Sequence, residues 1–456
     1  MNRYHGMKQF KIDIPKPVKI IISLLEQNGH EAFAVGGCVR DTILGREPQD
    51  WDITTSALPD QIKDIFHRTI DTGIQHGTVT VLMQRQGFEV TTYRIDGEYQ
   101  DSRHPESVSF TSNLIEDLKR RDFTINAMAY NPSVGLVDAF DGMGDMEKKV
   151  IKCVGEAAER FGEDALRILR AVRFSAQLGF DIETRTMKAI RELAPTLENI
   201  SAERIRVELE KLITSNHPEK LITAYEAGIT KVVLPEFDKM MECPQNTPYH
   251  MYNVGEHTIK VMEHVPATKE MRWAALLHDV GKPYSVIYDK KNPERMHFYG
   301  HAGKGAEMTP SILRRLKLDN KTIKVVTRLV ECHDDRPASK GMTPVNIRKS
   351  VHKIGKDIYE QYLQLVYADF QGKSEYGKNK GYDGFLYEKE QFRYILEHHI
   401  CTDKSELDIS GKDLIQAGCP TGSIIGDVLK ELLQRVLENP ELNHKETLLD
   451  IAKTMF

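Results

Sequence analysis

Residues 34–52 read AVGGCVRDTILGREPQDWD, and the order of residue types in that stretch decides which fold to expect. The apolar run at 33–35 enters the glycine pair Gly36 and Gly37. A helix-like stretch carrying Arg40 follows, and two carboxylates, Asp50 and Asp52, close the segment one residue apart. Glycines lack a Cβ, so backbone amides at 36 and 37 can approach a phosphate closely. Carboxylates at i and i+2 share one face of a strand. Two such anions side by side repel unless a cation lies between them. Mg²⁺, which favours oxygen ligands and shares its shell with substrate phosphates, suits the pair. The segment reads as a centre for nucleotidyl transfer, with Asp50 and Asp52 as its metal-binding catalytic pair.

At 456 residues the chain exceeds what one core normally organises, so two to four domains are expected. Its 40% hydrophobic and 28% charged content fits a soluble globular protein. No uninterrupted apolar run of ~18 residues occurs, which argues against a membrane span. The opening MNRYHGMKQFKIDIP lacks the apolar core of a signal peptide. The six cysteines are scattered singly, a pattern that suits reduced thiols in a cytoplasm. A net charge of −5 argues against wholesale nucleic-acid binding but leaves room for a local basic stripe. Candidates are Lys119, Arg120 and Arg121; Arg167, Arg170 and Arg173; Arg204 with Arg206; and Arg314 and Arg315 with Lys317.

Residues 16–30 have the spacing of an amphipathic helix ending near Asn28 and Gly29. From 31 to about 140, strand-like runs (FAVGG, WDITT, GTVTVLM, FEVTTYR and VSF) alternate with turns. The expectation is an α+β head over 1–150 with a small mixed sheet. The polar segment 94–110 within it is a candidate mobile loop. Beyond 155 the pattern turns helical, over 156–178, 185–193, 202–214 and 219–227, giving a helical neck and body over 151–245. Pro244 and Pro248 mark a boundary. Residues 246–375 form a histidine-bearing helical region, and 376–456 a helical tail broken at 418–422.

Two further motifs lie in the first half. In KRRDFTINAMAY (119–130), Arg121 can reach a triphosphate, while Asp122 and Asn126 can hydrogen-bond a ribose hydroxyl. In FGEDALRILRAVRF (161–174), a continuous helix places Glu163, Asp164, Arg167 and Arg170 within roughly 120° of arc. Asp164 and Arg167 are then an adjacent acceptor and donor. Cytosine and adenine both present an exocyclic amine beside an unprotonated ring nitrogen, which such a pair matches. Uracil and guanine present the reverse order and leave both side chains mispaired, at roughly 1–3 kcal/mol each. The bland alternative is a surface helix laced by ion pairs.

These three motifs, in this order over residues 30–215, resemble the polymerase-β-like nucleotidyltransferases, specifically the CCA-adding tRNA nucleotidyltransferase and poly(A) polymerase family. The second is similar to that family's RRDFTxNA motif and the third to the EDxxR motif of its class II members. The resemblance implies Gly37 and Arg40 on the nucleotide phosphates, with Gly36 beside them, and Asp50 and Asp52 on Mg²⁺. It implies Arg121 holding the nucleotide, Asp164 and Arg167 reading the base, and Arg170 and Arg173 supporting nucleotide binding. The implied partners are tRNA, CTP and ATP, and the undeleted 94–110 loop resembles enzymes that add the terminal A. An enzyme adding only A, or a poly(A) polymerase, stays open as an alternative.

A fourth constellation lies downstream: His257, His278 and Asp279 in LLHDVGKP, His301 in YGHAGKGAE, His333 in ECHDD and Asp369 in YADFQGK. It resembles the HD superfamily of metal-dependent phosphohydrolases, with ligands in the order H…HD…D. The extra histidines leave room for a second ion clamping a phosphoester. Imidazole-rich sites suit Ni, Mn, Fe or Zn better than Mg. An HD-type nucleotide phosphohydrolase or RNA-binding regulator stays open as a further alternative.

Overall fold

Ahead of the glycine pair, the apolar run forms β1 (Ala32–Val35), whose four residues are all buried. It is an interior strand of a seven-stranded sheet in a computed structural model that describes residues 11–97, 108–335 and 343–456. The remaining strands of this region are β2 (Ile53–Thr55), β3 (Thr69–Gly73), β4 (Thr78–Met83), β5 (Gln86–Thr92), β6 (Arg94–Asp96), β7 (Val108–Phe110), β8 (Met128–Asn131) and β9 (Gly135–Asp138). The sheet order is β3-β4-β5-β2-β1-β8-β9. Only β2 and β5 run parallel; the other neighbours are antiparallel, so the sheet is mixed as expected. Residues 98–107 of the anticipated loop lie outside the described residues, and the flanking β6 and β7 pair antiparallel.

The helix Lys16–Gln27 starts with a proline in its first turn and buries Val18, Ile21, Ile22 and Leu25, the i, i+3, i+4, i+7 stripe that drives it onto the sheet. It stops at Asn28, followed by Gly29 at φ 85°. Behind the sheet, Phe33, Val35, Tyr93, Leu114, Leu118, Ala127, Ala129 and Val137 form one core cluster. β8 has no alternating signature because all four of its residues are buried. β3 has the opposite problem, since it is polar and largely exposed.

Two expectations need correction. Asp50 and Asp52 are not strand residues: they lie in the extended segment just before β2, which begins at Ile53. Asp52 keeps sheet register through its carbonyl, which accepts from the Val35 amide at 3.0 Å. The helix expected over 156–178 is two helices, Ala157–Glu163 and Leu166–Leu178. Between them Asp164 adopts extended backbone (φ −144°, ψ 103°), and its side chain accepts from the Leu166 amide, as a cap does.

The chain divides into two compact units, Met1–Leu234 and Pro235–Phe456. The first joins the sheet to the helices Leu166–Leu178, Thr184–Leu193 and Ala202–Ile213. The second is almost wholly helical. Its C-terminal part has a core of its own, in which Leu414, Val428, Leu432, Val436 and Leu448 meet. The expected break at 418–422 separates Gly411–Gln416 from Ser423–Glu438, with Gly418 and Gly422 both at positive φ. Among the described residues no helix is long and apolar enough to cross a membrane.

Candidate active site

A cleft of about 410 Å³ opens in the first unit where β1 ends. It is lined by Gly36, Gly37, Arg40, Asp50, Asp52, Arg121, Asp122, Asn126, Arg170 and Arg173, so ten of the residues singled out from the sequence converge on it. Gly36 adopts φ 81° and ψ −132°, a conformation that strains any residue with a Cβ. A Cβ there would also lie 3.0 Å from Arg121 Nη1. At Gly37 an added Cβ would meet only Arg40 at 3.7 Å, an ordinary contact, so the protein's own packing leaves that approach open.

Asp50 and Asp52 keep solvent access by surface area. Protein nonetheless encloses Asp52 on the other sides of the cleft, and that enclosure pushes its carboxyl above the ordinary value. Arg121 opposes the rise, while Glu89 and Asp50 add to it. A carboxyl raised beside a second carboxylate, facing an open cleft, fits a divalent cation.

The arginines beside it are held in a chain of hydrogen bonds. Arg40 forks onto Asp41 with two bonds of 2.9 Å and donates from Nη1 to Asn126 Oδ1 at 2.6 Å. Asn126 Nδ2 donates to Asp122 Oδ1 at 3.0 Å, and Arg170 donates twice to Asp122 Oδ2. Asp122 and Asn126 thus orient arginines here rather than standing free for a ribose. Arg173 Nε donates to Glu208 Oε2 at 2.8 Å. The ring of Phe174 is flanked by Arg173, Arg40 and Arg170, with guanidinium carbons 3.5, 4.9 and 5.4 Å from its centroid. Sequence reasoning missed Phe174 and the buried Glu208. Phe174 looks like a core aromatic at the end of its motif, and Glu208 lies 35 residues downstream of Arg173.

Asp164 and Arg167 are not in the cleft lining. The Asp164 carboxylate takes both terminal nitrogens of Arg204, at 3.2 and 2.7 Å. Arg167 pairs with Glu163 and donates to the Arg120 carbonyl at 3.1 Å. Asp164 leaves the helix there, and its carboxylate and the Arg167 guanidinium are each engaged by other partners rather than presented side by side on a continuous helix.

In the second unit the six residues of the downstream constellation do come together. Each imidazole Nδ1 faces a backbone carbonyl: His257 that of Gly372, His278 that of Ala275, His301 that of Phe298 and His333 that of Val330, at 2.7–3.1 Å. A carbonyl cannot donate, so each Nδ1 carries the proton, and in the neutral ring each Nε2 presents a lone pair. The Nε2 atoms converge on Asp279. His257 and His278 approach its Oδ2 at 3.6 and 3.2 Å, and His301 and His333 its Oδ1 at 3.4 and 3.5 Å. Asp369 reaches His257 at 3.2 Å. Between neutral rings, opposed lone pairs with Nε2 atoms 3.4 and 3.1 Å apart repel, and a cation between them relieves this. Two groups of potential ligands share Asp279: His257 with His278, and His301 with His333.

Burial alone would raise the Asp279 carboxyl, but positive charge beside it, on His278 when that ring is protonated and on Lys282, holds it well below its ordinary value. His250 went unnoticed in the sequence. Its ring packs edge-on against His257 at 5.0 Å, and it lines the same cavity of about 520 Å³ as Asp279, His301 and Asp369. Burial, with Lys282 and His257 adding to it, pushes its imidazole down to about 2. Among the described residues all six cysteines are free thiols and buried.

The mixed sheet, the acidic pair and the ring of arginines define a nucleotidyltransferase head. A family model described as the poly A polymerase head domain matches residues 32–152, and one described as a probable RNA and SrmB-binding site of polymerase A matches 179–241. A third, described as putative domain 2 of tRNA nucleotidyltransferase, matches 298–452. The CCA-adding enzyme of Leuconostoc mesenteroides is 36% identical over 437 residues, covering 95% of this chain and 94% of its own. That of Enterococcus faecalis is 35% identical, covering 95% and 94%. The solved CCA-adding enzyme of Bacillus stearothermophilus in complex with CTP superposes with a TM-score of 0.72 at 30% identity, over 97% of this chain and 98% of that one. The chain belongs to the CCA-adding enzyme family.

Proposed function

We propose that this chain is a tRNA nucleotidyltransferase that adds or repairs the 3′-terminal CCA from CTP and ATP without a nucleic-acid template, releasing pyrophosphate. The observation that carries the reading is the placement of Asp50 and Asp52 at the cleft beside Gly36, Arg121 and the Arg40–Asn126–Asp122–Arg170 chain. Asp50 and Asp52 would hold Mg²⁺, which supplies Lewis-acid stabilisation of the charge that develops at the reacting phosphate. Gly36 and Gly37 let the triphosphate approach the backbone. Arg121, Arg40 and Arg170 neutralise it from fixed positions, so little reorganisation accompanies the reaction. Base choice would fall to Asp164 and Arg167 once Arg204 and Glu163 release them. The cytoplasm, where tRNA and both nucleotides occur, is the proposed compartment.

The test is incubation with tRNA lacking its CCA end and each nucleoside triphosphate in turn. Incorporation of CTP, then of ATP on the product, is expected. Incorporation of ATP alone would replace the reading with an A-adding enzyme or poly(A) polymerase.

The second centre supports an added reading. Residues 246–375 would form an HD-type domain between the neck (151–245) and the tail (376–456), holding Ni, Mn, Fe or Zn on His257, His278, Asp279, His301, His333 and Asp369 and hydrolysing a phosphoester. Its support is the set of four Nδ1-anchored imidazoles around one buried carboxylate, the arrangement by which proteins orient metal ligands. Metal analysis of the purified chain tests it.

A further inference from the structure

Asp117 lies on the helix Leu114–Lys119, outside every motif that pointed to the active site, yet it is fully buried. A carboxylate in that position is costly unless each oxygen is engaged. Its Oδ1 accepts from Arg120 Nε and Nη2 at 3.0 and 2.8 Å and from the Arg94 amide at 3.3 Å. Its Oδ2 accepts from Thr54 Oγ1 at 3.1 Å and lies 3.6 Å from Arg121 Nη2. These partners belong to separate parts of the site. Thr54 stands on β2 two residues after Asp52, Arg94 opens β6, and Arg121 lines the cleft.

Arg121 is therefore held from one end of its guanidinium. Nη2 faces Asp117 behind the cleft, and Nη1 lies 3.0 Å from where a Gly36 side chain would begin. Asp117 is the carboxylate paired with Arg121 among the described residues. Arg121 lines the same cleft as Asp50 and Asp52, and with the rear anchor gone the arginine is free to turn toward the carboxylates that face the nucleotide.

We propose that Asp117 is the positioning residue for nucleotide binding: it holds Arg121 at the triphosphate side of the cleft and ties it, through Thr54, to the strand that carries the acidic pair. The inference rests on nucleotide addition at the first site. It concerns placement of the cationic group, a contribution that reaches the nucleotide only through Arg121.

The test is a double-mutant cycle on the full chain, crossing Asp117→Asn with Arg121→Ala. CTP affinity is read by calorimetry without tRNA, and KM and kcat for CTP addition are read with tRNA lacking its CCA end. In the native background Asp117→Asn is expected to weaken CTP binding about tenfold, through loss of the ion pair that places Arg121. KM should rise while kcat changes less. In the Arg121→Ala background the same substitution should add no further loss. Equal losses in both backgrounds, or unchanged CTP affinity in a folded Asp117→Asn protein, would overturn the proposal. If circular dichroism shows that Asp117→Asn does not fold, Thr54→Val takes its place in the cycle, with a smaller loss expected and again none beside Arg121→Ala; equal losses overturn the proposal there too. A wild-type chain that binds CTP but adds no nucleotide would count against the proposed function and leave this inference to the calorimetry.

Discussion

The carboxylate of Asp122 receives two hydrogen bonds from Arg170 on the same oxygen, at 2.9 and 2.6 Å, linking the second sequence motif to the third across 48 residues of chain. Burial alone would raise the Asp122 carboxyl, but Arg170, Asn126 and Arg167 outweigh it and hold it below the ordinary carboxylate range. A carboxyl lowered in the folded state contributes stability that is present above its unfolded value, about 4, and is lost as pH falls through the folded value. Asp122→Asn should therefore cost about 2 kcal/mol at pH 7. It should also flatten the loss of stability between pH 4 and pH 2. Denaturant unfolding at the two pH values checks this; parallel losses in both proteins would deny the pair its stabilising role.

The acidic pair makes a contrasting prediction. Asp50 and Asp52 are solvent-accessible, and among the described residues neither takes part in an ion pair that bridges elements of the fold. Asp50→Ala and Asp52→Ala should each abolish nucleotide addition while the melting temperature stays within a few degrees. Thermal unfolding and incorporation assays, run side by side, decide it. Near-normal incorporation by both variants would remove the pair from catalysis.

Base choice is the most exposed of the proposals, because Asp164 is engaged by Arg204. Asp164→Ala should narrow the preference for CTP and ATP over UTP and GTP by about 1–3 kcal/mol. Arg204→Ala frees the carboxylate and should change nucleotide selection as well. The ratios of kcat/KM across the four nucleotides are the measurement. Unchanged ratios in both variants would leave a surface ion pair and a helix cap.

In the second unit, Asp279 is the carboxylate shared by both sets of imidazoles. The purified chain is expected to carry a transition metal, and Asp279→Ala to lose it together with any phosphoesterase activity. Nucleotide addition should survive, since Asp50 and Asp52 belong to the other compact unit. Elemental analysis, with phosphodiesterase assays in Mg²⁺, Mn²⁺ and Ni²⁺, tests both halves. A metal-free native chain without turnover would reduce the centre to a structural cluster.

Much of the molecule was legible in the one-dimensional pattern because local physics decides it. The apolar stripe of Lys16–Gln27, the strand β1 running into Gly36, and the helices Thr184–Leu193 and Ala202–Ile213 follow from spacing and breakers. The residue types around Gly36, Asp50, Asp52 and Arg121 name a phosphate and a cation before any fold is known, since few other groups tolerate that chemistry. The six ligand-type side chains of the second unit likewise announce themselves by residue type alone.

What only the tertiary structure decided is which charge meets which. The motif at 161–174 reads as one helix, yet Asp164 leaves the helical region to cap Leu166 and meet Arg204, forty residues away. Glu208 and Asp117 are ordinary acidic residues in sequence; burial among arginines makes them anchors. His250 acquires its unusual environment from His257 and Lys282, one on a neighbouring helix and the other in the turn after His278 and Asp279. Ion pairing and desolvation depend on distances between elements set by packing of the whole core, and no local window of sequence contains those distances.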